Sequence, residues 1–433
     1  MEGSFRTLHP TNTGTHISTT ITKLQYFWLG KYLFVKESLR ALISGGLIGA
    51  IRYFRFINFT LHKERLLNHD DKGVINLFIP PVPSKPFSRI IRSYSDTFVL
   101  RTKPVQLHNI LIATTGRCPF KCWYCSAAHM SAQDLSIKDL QKIIAILKDW
   151  GICIIGFTGG EPLLRTDTDD IIRQYADEFS FIIFTSGYGL SRSRADQLKD
   201  SGLFAIAISL DDHDETNNDR ARGFSGAYEI SLDAIANARR AGLYTVVQSV
   251  ITKAMIEQNR VGQFLSFIKT IDPDELLLLE PLATGNLLAH DNSVFLTSKQ
   301  RKLLRDLHDN TVNDHKLPKI HSFAYTEHYS RYGCGAGRQH AYIDTRGNFW
   351  PCNFLPISLG NVLKKPSAVY ERNLRYFSRP CSTCILMEDR AEIQQLFTGQ
   401  LPISFEKVQP YLEKRFERIK DSVMPEFYRL MGS

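Results

Sequence analysis

The stretch "HNILIATTGRCPFKCWYCSAAHM", residues 108–130, begins as an unbroken apolar run and ends in three cysteines, Cys118, Cys122 and Cys125, separated by three and two residues. The run reads as a buried strand. Outward from it, "SIKDLQKIIAILKDWG" (136–151) carries apolar residues at helical spacing, with Ser136 placed as N-cap and Gly151 as stop. Five more apolar runs follow, "ICIIGFT", "FIIFTS", "FAIAISL", "YTVVQSVI" and "ELLLLE", with helical stretches near 168–178, 191–201, 226–241 and 260–270. Six strands alternating with helices predict an α/β fold whose parallel sheet is covered on both faces or closed as a barrel. Six units fall short of a full eightfold barrel. In either arrangement the chemistry gathers at the C-terminal ends of the strands, where the cysteines, "TGGEP", "TSGYG" and "SLDD" all fall.

After about residue 315 this rhythm stops. "GCGAGRQHAYIDTRGNFWPCNF" has the alternation of a small hairpin flanked by Cys334 and Cys352, and is expected to form a separate small domain that closes with Cys381 and Cys384 in "CSTC". Residues 403–430 read as one charged amphipathic helix. Near the other end, "YFWLGKYLFVKESLRALISGGLIGAIRYFRFINF" is aromatic, basic and helical in parts, with Gly45-Gly46 weakening its middle. The prolines of "IPPVPSKPF" (79–87) predict an extended linker. The expected organisation is an N-terminal region at 1–104, a barrel at 105–315, a cysteine-rich α+β extension at 316–390 and a helical tail at 391–433.

A chain of 433 residues, 43% hydrophobic and 22% charged, buries a full core. The net charge of +9 is concentrated before residue 118, and composition leaves open whether that basic front meets a membrane surface, nucleic acid or an acidic substrate. The longest apolar run, "ALISGGLIGAI" (41–51), is too short to cross a bilayer. The first 25 residues lack the apolar core of a secretory signal. Seven of the eight cysteines fall in two clusters, which favours metal in a reducing, cytoplasmic compartment over disulfides. The eighth, Cys153, reads as a buried core thiol.

Three thiols fit zinc poorly, because a structural zinc takes four ligands; His129 is the candidate for a fourth. A c-type haem needs CxxCH, and Ser126 follows Cys125. A four-iron cluster held by three thiolates instead leaves one iron open to an outside ligand. The later quartet, Cys334, Cys352, Cys381 and Cys384, can close either a zinc site or a cluster.

CxxxCxxC after the first strand, with "GGEP" thirty-four positions beyond Cys125, resembles the radical S-adenosylmethionine (radical SAM) family. The resemblance implies a partial (β/α)6 TIM barrel with a mainly helical N-terminal region. It also implies a 4Fe-4S cluster on Cys118, Cys122 and Cys125, whose open iron is chelated by S-adenosylmethionine and whose electron releases a 5'-deoxyadenosyl radical. It assigns Gly159, Gly160, Glu161 and Pro162 to the amino group of the methionine. Within "SLDDHDETNNDRARG" it assigns Ser209 and Asp211 to the ribose and Arg222 to the carboxylate. Tyr124 is placed against adenine, Ser186 at a polar position where relatives often carry Asn, and Glu280 and Gly285 where the family closes over adenine or substrate. "CGAGRQHAYIDTRGNFWPC" is similar to the opening of the SPASM domain. Four cysteines match its shortened twitch form, with a second, auxiliary 4Fe-4S cluster.

The resemblance leads to oxidative modification of a peptide or protein, such as a cross-link or thioether, with an external one-electron reductant of flavodoxin or ferredoxin type. Radical oxidation or C–C bond formation on a small metabolite or a lipid-linked substrate stands as the alternative. The segment 26–60, with Trp28, Tyr53 and interleaved arginines, suits peripheral membrane contact. A non-catalytic iron-sulfur or nucleic-acid-binding protein is the alternative of another class, and an open-iron triad beside "GGEP" argues against it.

Overall fold

The computed structural model describes residues 35–62, 64–419 and 423–432. Seven strands, β1 (Asn109–Thr115), β2 (Ile154–Gly159), β3 (Ser180–Thr185), β4 (Ala205–Ser209), β5 (Tyr244–Val250), β6 (Glu275–Leu279) and β7 (Lys319–Ser322), pair in chain order and in parallel. The six expected strands are all present. The rhythm runs one unit further than expected, through a helix at Ser298–Thr311 into β7, whose sequence "KIHS" is too short and too polar to announce a buried strand.

The hairpin expected to stand apart is built onto the same sheet. β8 (His340–Ile343) pairs in parallel with β1, and β9 (Asn348–Trp350) and β10 (Gly360–Asn361) follow antiparallel, giving one sheet of ten strands. The physical reason is the open edge of β1, whose unpaired backbone groups β8 satisfies.

Alternate residues of the strands divide two cores, as the period of two requires. Ile155, Phe157, Ile183, Ile206 and Ile208 pack outward beneath the helices. Ile154, Ile182, Ala205, Ala207, Val246 and Leu277 point inward, where Leu67, Val74 and Leu77 join them. Leu67 and Val74 come from a short ribbon, Leu67–His69 against Lys72–Val74, that together with Leu77 just beyond it plugs the barrel interior.

The helices that bear on the site are α1 (Glu37–Leu61), α2 (Lys85–Tyr94), α3 (Ile137–Asp149), α4 (Glu215–Arg222), α5 (Phe405–Arg418) and α6 (Glu426–Met431). Ser136 caps α3 through the Asp139 amide, as expected. The stretch 79–87 is not a linker: Val82 exchanges backbone hydrogen bonds with Gly73 at 2.8 Å, and Pro80, Pro81 and Val82 are buried. Its last residues open α2, with Ser84 accepting from the Phe87 amide and Pro86 in the first turn, where a missing N–H costs nothing. The single helix expected over 403–430 is two, α5 and α6, with Pro425 heading α6. Gly46 breaks α1 with φ 60° and ψ −157°, as the Gly-Gly pair foretold. Trp28 and the rest of 1–34 lie outside the described residues. Among the described residues no helix is long and apolar enough to cross a membrane.

Candidate active site

One cavity of about 360 Å³ opens at the C-terminal ends of the barrel strands. Cys118, Cys122, Tyr124 and Cys125 line it from the loop after β1, Gly159, Gly160 and Glu161 from the end of β2, and Ser186 from beyond β3. Ser209, Asp211, Arg222 and Glu280 complete its wall. Pro162 and Gly285 do not line it; Pro162 opens the turn after Glu161, and Gly285 packs against the Cys125 carbonyl.

The cysteine loop is held by backbone contacts rather than by its own secondary structure. The Lys121 amide donates to the Arg222 carbonyl at 3.1 Å and the Trp123 amide to the Ala221 carbonyl at 3.3 Å. Gly223 has φ +61°, and a Cβ there would sit 2.3 Å from the Lys121 carbonyl oxygen. This explains why glycine must follow Arg222. Gly285, with φ +49°, would place a Cβ 2.0 Å from the Cys125 carbonyl oxygen. Next to it, Asn286 donates from its backbone to Cys125 (3.0 Å) and from its side chain to Cys122 (2.9 Å).

The Gly-Gly turn is stitched to the same loop. The Gly160 amide donates to Thr115 and the Glu161 amide to Arg117, both at 2.8 Å, and Cβ atoms on Gly159 or Gly160 would lie 2.2 and 2.1 Å from those carbonyl oxygens. The Glu161 carboxylate is fully buried and accepts from the Leu163 amide (3.0 Å), the Thr185 hydroxyl (2.5 Å) and both the amide (2.8 Å) and hydroxyl (2.5 Å) of Ser186. Burial pushes its pKa up and these four donors oppose that shift. Glu161 therefore braces β2 against β3, and Ser186 spends its hydroxyl on that brace.

Tyr124, Asp211 and Arg222 form one buried network. The Tyr124 hydroxyl donates to Asp211, Arg222 donates to the Tyr124 oxygen at 3.1 Å, and the Asp211 carboxylate also accepts from the Val250 amide at 2.8 Å. Arg222 is thus not a surface arginine. Burial works against its charge, and neighbouring Tyr124, Cys122 and Asp211 more than offset that. Ser209 accepts from Gln248 at 2.9 Å, and Glu280 pairs with Arg301 at 3.0 Å.

The quartet gathers behind a second part of the cavity wall. The Cys334 amide donates to the Cys381 carbonyl at 2.8 Å, and the neighbouring Cys384 together with burial pushes the Cys334 thiol well above its usual range. Arg415 of α5 donates to the Cys381 sulfur at 3.1 Å. Glu327 and Arg338 stand between this group and the cavity; Glu327 accepts from the Gly335 amide at 3.1 Å, and burial pushes its carboxyl well above the usual range.

The donor sets fit iron-sulfur chemistry. The triad offers three soft thiols on a cavity wall, and the cradle beside it is made of glycines that no Cβ-bearing residue could replace in place. Desolvation pushes Cys118 and Cys122 up to about 11 and about 12, so ligation there displaces protons. Among the described residues no three His, Cys, Asp or Glu side chains converge on a single metal ion. His129 is exposed, packs against Phe397 and takes no part in the cavity, which removes the fourth zinc ligand considered for the triad. Cys153 is fully buried in an aromatic cluster with Tyr94, as expected of a core thiol.

Residues 112–257 match the Radical SAM superfamily model. This chain carries a radical SAM domain. The chain is 30% identical over 166 residues to the probable GTP 3',8-cyclase of Methanocella arvoryzae, a match covering 38% of this chain and 54% of that protein. It therefore spans about half of that relative. It is 24% identical over 252 residues to the PqqA peptide cyclase of Bradyrhizobium diazoefficiens, covering 56% and 66%. Among solved structures it resembles anSMEcpe with bound AdoMet and Cp18Cys peptide, with TM-score 0.52, 16% identity and coverage of 72% and 99%, a likeness of fold. Radical SAM enzymes use a 4Fe-4S cluster and S-adenosylmethionine; of these relatives one is named a peptide cyclase and one was solved with a peptide bound.

Sequence reasoning passed over Thr185, Gln248, Asn286, Glu327 and Arg415. Gln248 lay in plain sight as a polar residue on an inward position of an apolar strand, and Thr185 as the polar last residue of another. Glu327 and Arg415 join the quartet only through the tertiary fold, and no spacing announces them.

Proposed function

We propose that this chain is a radical SAM enzyme that abstracts hydrogen from a peptide or protein substrate and oxidises it. What supports the reading is one cavity that the triad, the Gly-Gly turn and the Tyr124–Asp211–Arg222 network share, with the quartet behind its other wall. In this division of labour the barrel at 105–315 holds the first cluster on Cys118, Cys122 and Cys125. The extension at 316–390 holds a second on Cys334, Cys352, Cys381 and Cys384. When bound, the cluster and S-adenosylmethionine supply one-electron cleavage of a sulfonium bond and a primary carbon radical that takes a hydrogen atom.

The chain's own part is placement and exclusion of water. Glu161, Thr185 and Ser186 fix the turn beside the triad. Arg222 presents a buried cation suited to a carboxylate, Ser209 and Asp211 present oxygens suited to ribose hydroxyls, and Tyr124 supplies an aromatic face. Glu280 stands in the wall, and Pro162 and Gly285 shape the backbone beside it. A flavodoxin- or ferredoxin-type protein would deliver the electron. Peptide relatives favour a peptide substrate. The aromatic wall formed by Phe56, Phe98 and Phe427 favours the second reading, a small apolar or lipid-linked substrate.

Anaerobic reconstitution tests the proposal through iron content and 5'-deoxyadenosine release under dithionite. About eight irons per chain and product release are expected, with a fall to about four irons in a Cys118→Ala, Cys122→Ala, Cys125→Ala variant. About four irons with one zinc would refute the second cluster, and no 5'-deoxyadenosine with candidate substrates would refute the enzyme.

A further inference from the structure

The break in α1 is a reversal of the chain. A Cβ on Gly49 would lie 2.3 Å from the carbonyl oxygen of Ala41, eight residues earlier. In a continuous helix those residues would be about 12 Å apart along the axis. Residues 37–45 and 47–61 are therefore the two arms of a helical hairpin, crossing at Ala41 and Gly49 and turning at Gly46.

The turn is apolar and bare. Ile43 is 81% exposed, Leu47 73%, Ile48 64% and Leu42 48%, with only Ser44, Gly45 and Gly46 between them. Phe54, at 69%, continues the apolar face down the second arm. The base, by contrast, is fastened: Arg40 pairs with Asp96, Arg52 donates to the Val99 carbonyl at 3.5 Å, and Tyr53, Phe56 and Ile57 are buried. A protruding tip of four large aliphatic residues on an anchored base exceeds the scattered exposure normal for a surface.

We propose that this hairpin inserts its tip, Leu42, Ile43, Leu47 and Ile48, into the interface of an anionic lipid bilayer. Two features choose lipid over a second copy of the chain. The only carboxylate in 35–62 is Glu37, which is buried and paired with Arg40, whereas Arg52 and Arg55 stand one to two turns behind the tip. That is about 6–10 Å along the axis, the depth at which an interfacial helix meets headgroup phosphates. A second copy would bring the same cations against each other around a convex tip. Among the described residues no helix is long and apolar enough to cross a bilayer, so the proposed contact is an interfacial one. The proposal stands independently of the radical chemistry.

The test is flotation of the reconstituted full-length protein, under anaerobic conditions, with phosphatidylcholine vesicles containing phosphatidylglycerol. Wild type is expected to float, and a Leu42→Ser, Ile43→Ser, Leu47→Ser, Ile48→Ser variant to lose vesicle binding on the order of tenfold or more with its thermal midpoint unchanged. Arg52→Glu, Arg55→Glu provides a second variant, expected to bind several-fold less at low salt, with the gap to wild type narrowing as salt rises. Wild type remaining at the bottom of the gradient overturns the proposal. So does a tip variant that floats as well as wild type, which would place the contact in residues 1–34. A wild-type dimer that the tip variant abolishes, without vesicle binding, overturns it in favour of a second copy.

Discussion

Glu161 is the residue at which the motif and the fold make different demands. The resemblance placed it against the methionine amino group, yet its carboxylate is surrounded by four donors of its own chain. A carboxylate has acceptor capacity for all four, while a glutamine has one oxygen and an NH2 group that is itself a donor. In Glu161→Gln the NH2 group would face the Leu163 amide and leave it unsatisfied in a fully buried site. A loss of about 3 kcal/mol is expected, from the missing charged hydrogen bonds and one buried orphan donor. For a chain of this length that corresponds to a fall in thermal midpoint of about 3 °C, read by differential scanning calorimetry. Unchanged stability with abolished S-adenosylmethionine binding would instead return Glu161 to the ligand. Gly223 and Gly285 carry a similar lesson, since their identity is set by the cysteine loop they touch and not by any ligand.

At the scale of elements, the β-strands were legible because each apolar run is bounded by turn residues, and the cysteine loop because its spacing is specific. β7 was not, since four residues with Lys319 and His321 give no periodicity; Lys319 enters the core only because it donates to Glu64 and to the carbonyl of Arg65 at 3.1 Å. The ribbon at 67–74 was equally silent, because its apolar residues fit inside a barrel that only the remote strands create. Its closure produces a measurable pH dependence. The amide of Leu77 and the hydroxyl of Tyr244 donate to the Glu275 carboxyl at 3.1 and 3.0 Å, and burial pushes that group up to about 7. A carboxyl raised in the folded state binds a proton that the unfolded chain has already released. Its contribution is therefore fully present below about pH 4.5 and is lost as the pH rises toward about 7, by about 3 kcal/mol in all. Glu275→Gln is expected to lose this slope. The check is the difference in unfolding midpoint between variant and wild type at about pH 5 and about pH 7.5, and parallel profiles would reject it.

At the scale of the whole molecule, the two ends of the described chain close the structure together. α6 lies against the base of the α1 hairpin, and the Arg101 guanidinium donates to the Gly432 carbonyl at 2.6 Å. The centre of that junction is Phe427, whose ring sits 4.9 Å from Phe98, 5.4 Å from Phe59, 5.0 Å from Tyr332 and 6.2 Å from Phe56. None of this was legible in the sequence, where "MPEFYRL" offers six residues of helix and no partner. The aromatic residues that receive Phe427 come from 56 to 332, a separation no local pattern spans. Phe427 also lines the active-site cavity, so the junction seals the space in which a radical would have to be kept from water. Phe427→Ala removes a buried ring from a site whose neighbours are tied to three separate segments and cannot all collapse inward. A loss of about 3–5 kcal/mol is expected. In a chain of this size that lowers the thermal midpoint by about 3–6 °C. Because Phe427 joins α1 to Phe98 and Tyr332, limited proteolysis is expected to cut the variant within 37–62 before the barrel is attacked. A variant that keeps its midpoint and its cleavage pattern would mean that the hairpin is held without α6, by Arg40 and Asp96 at its base.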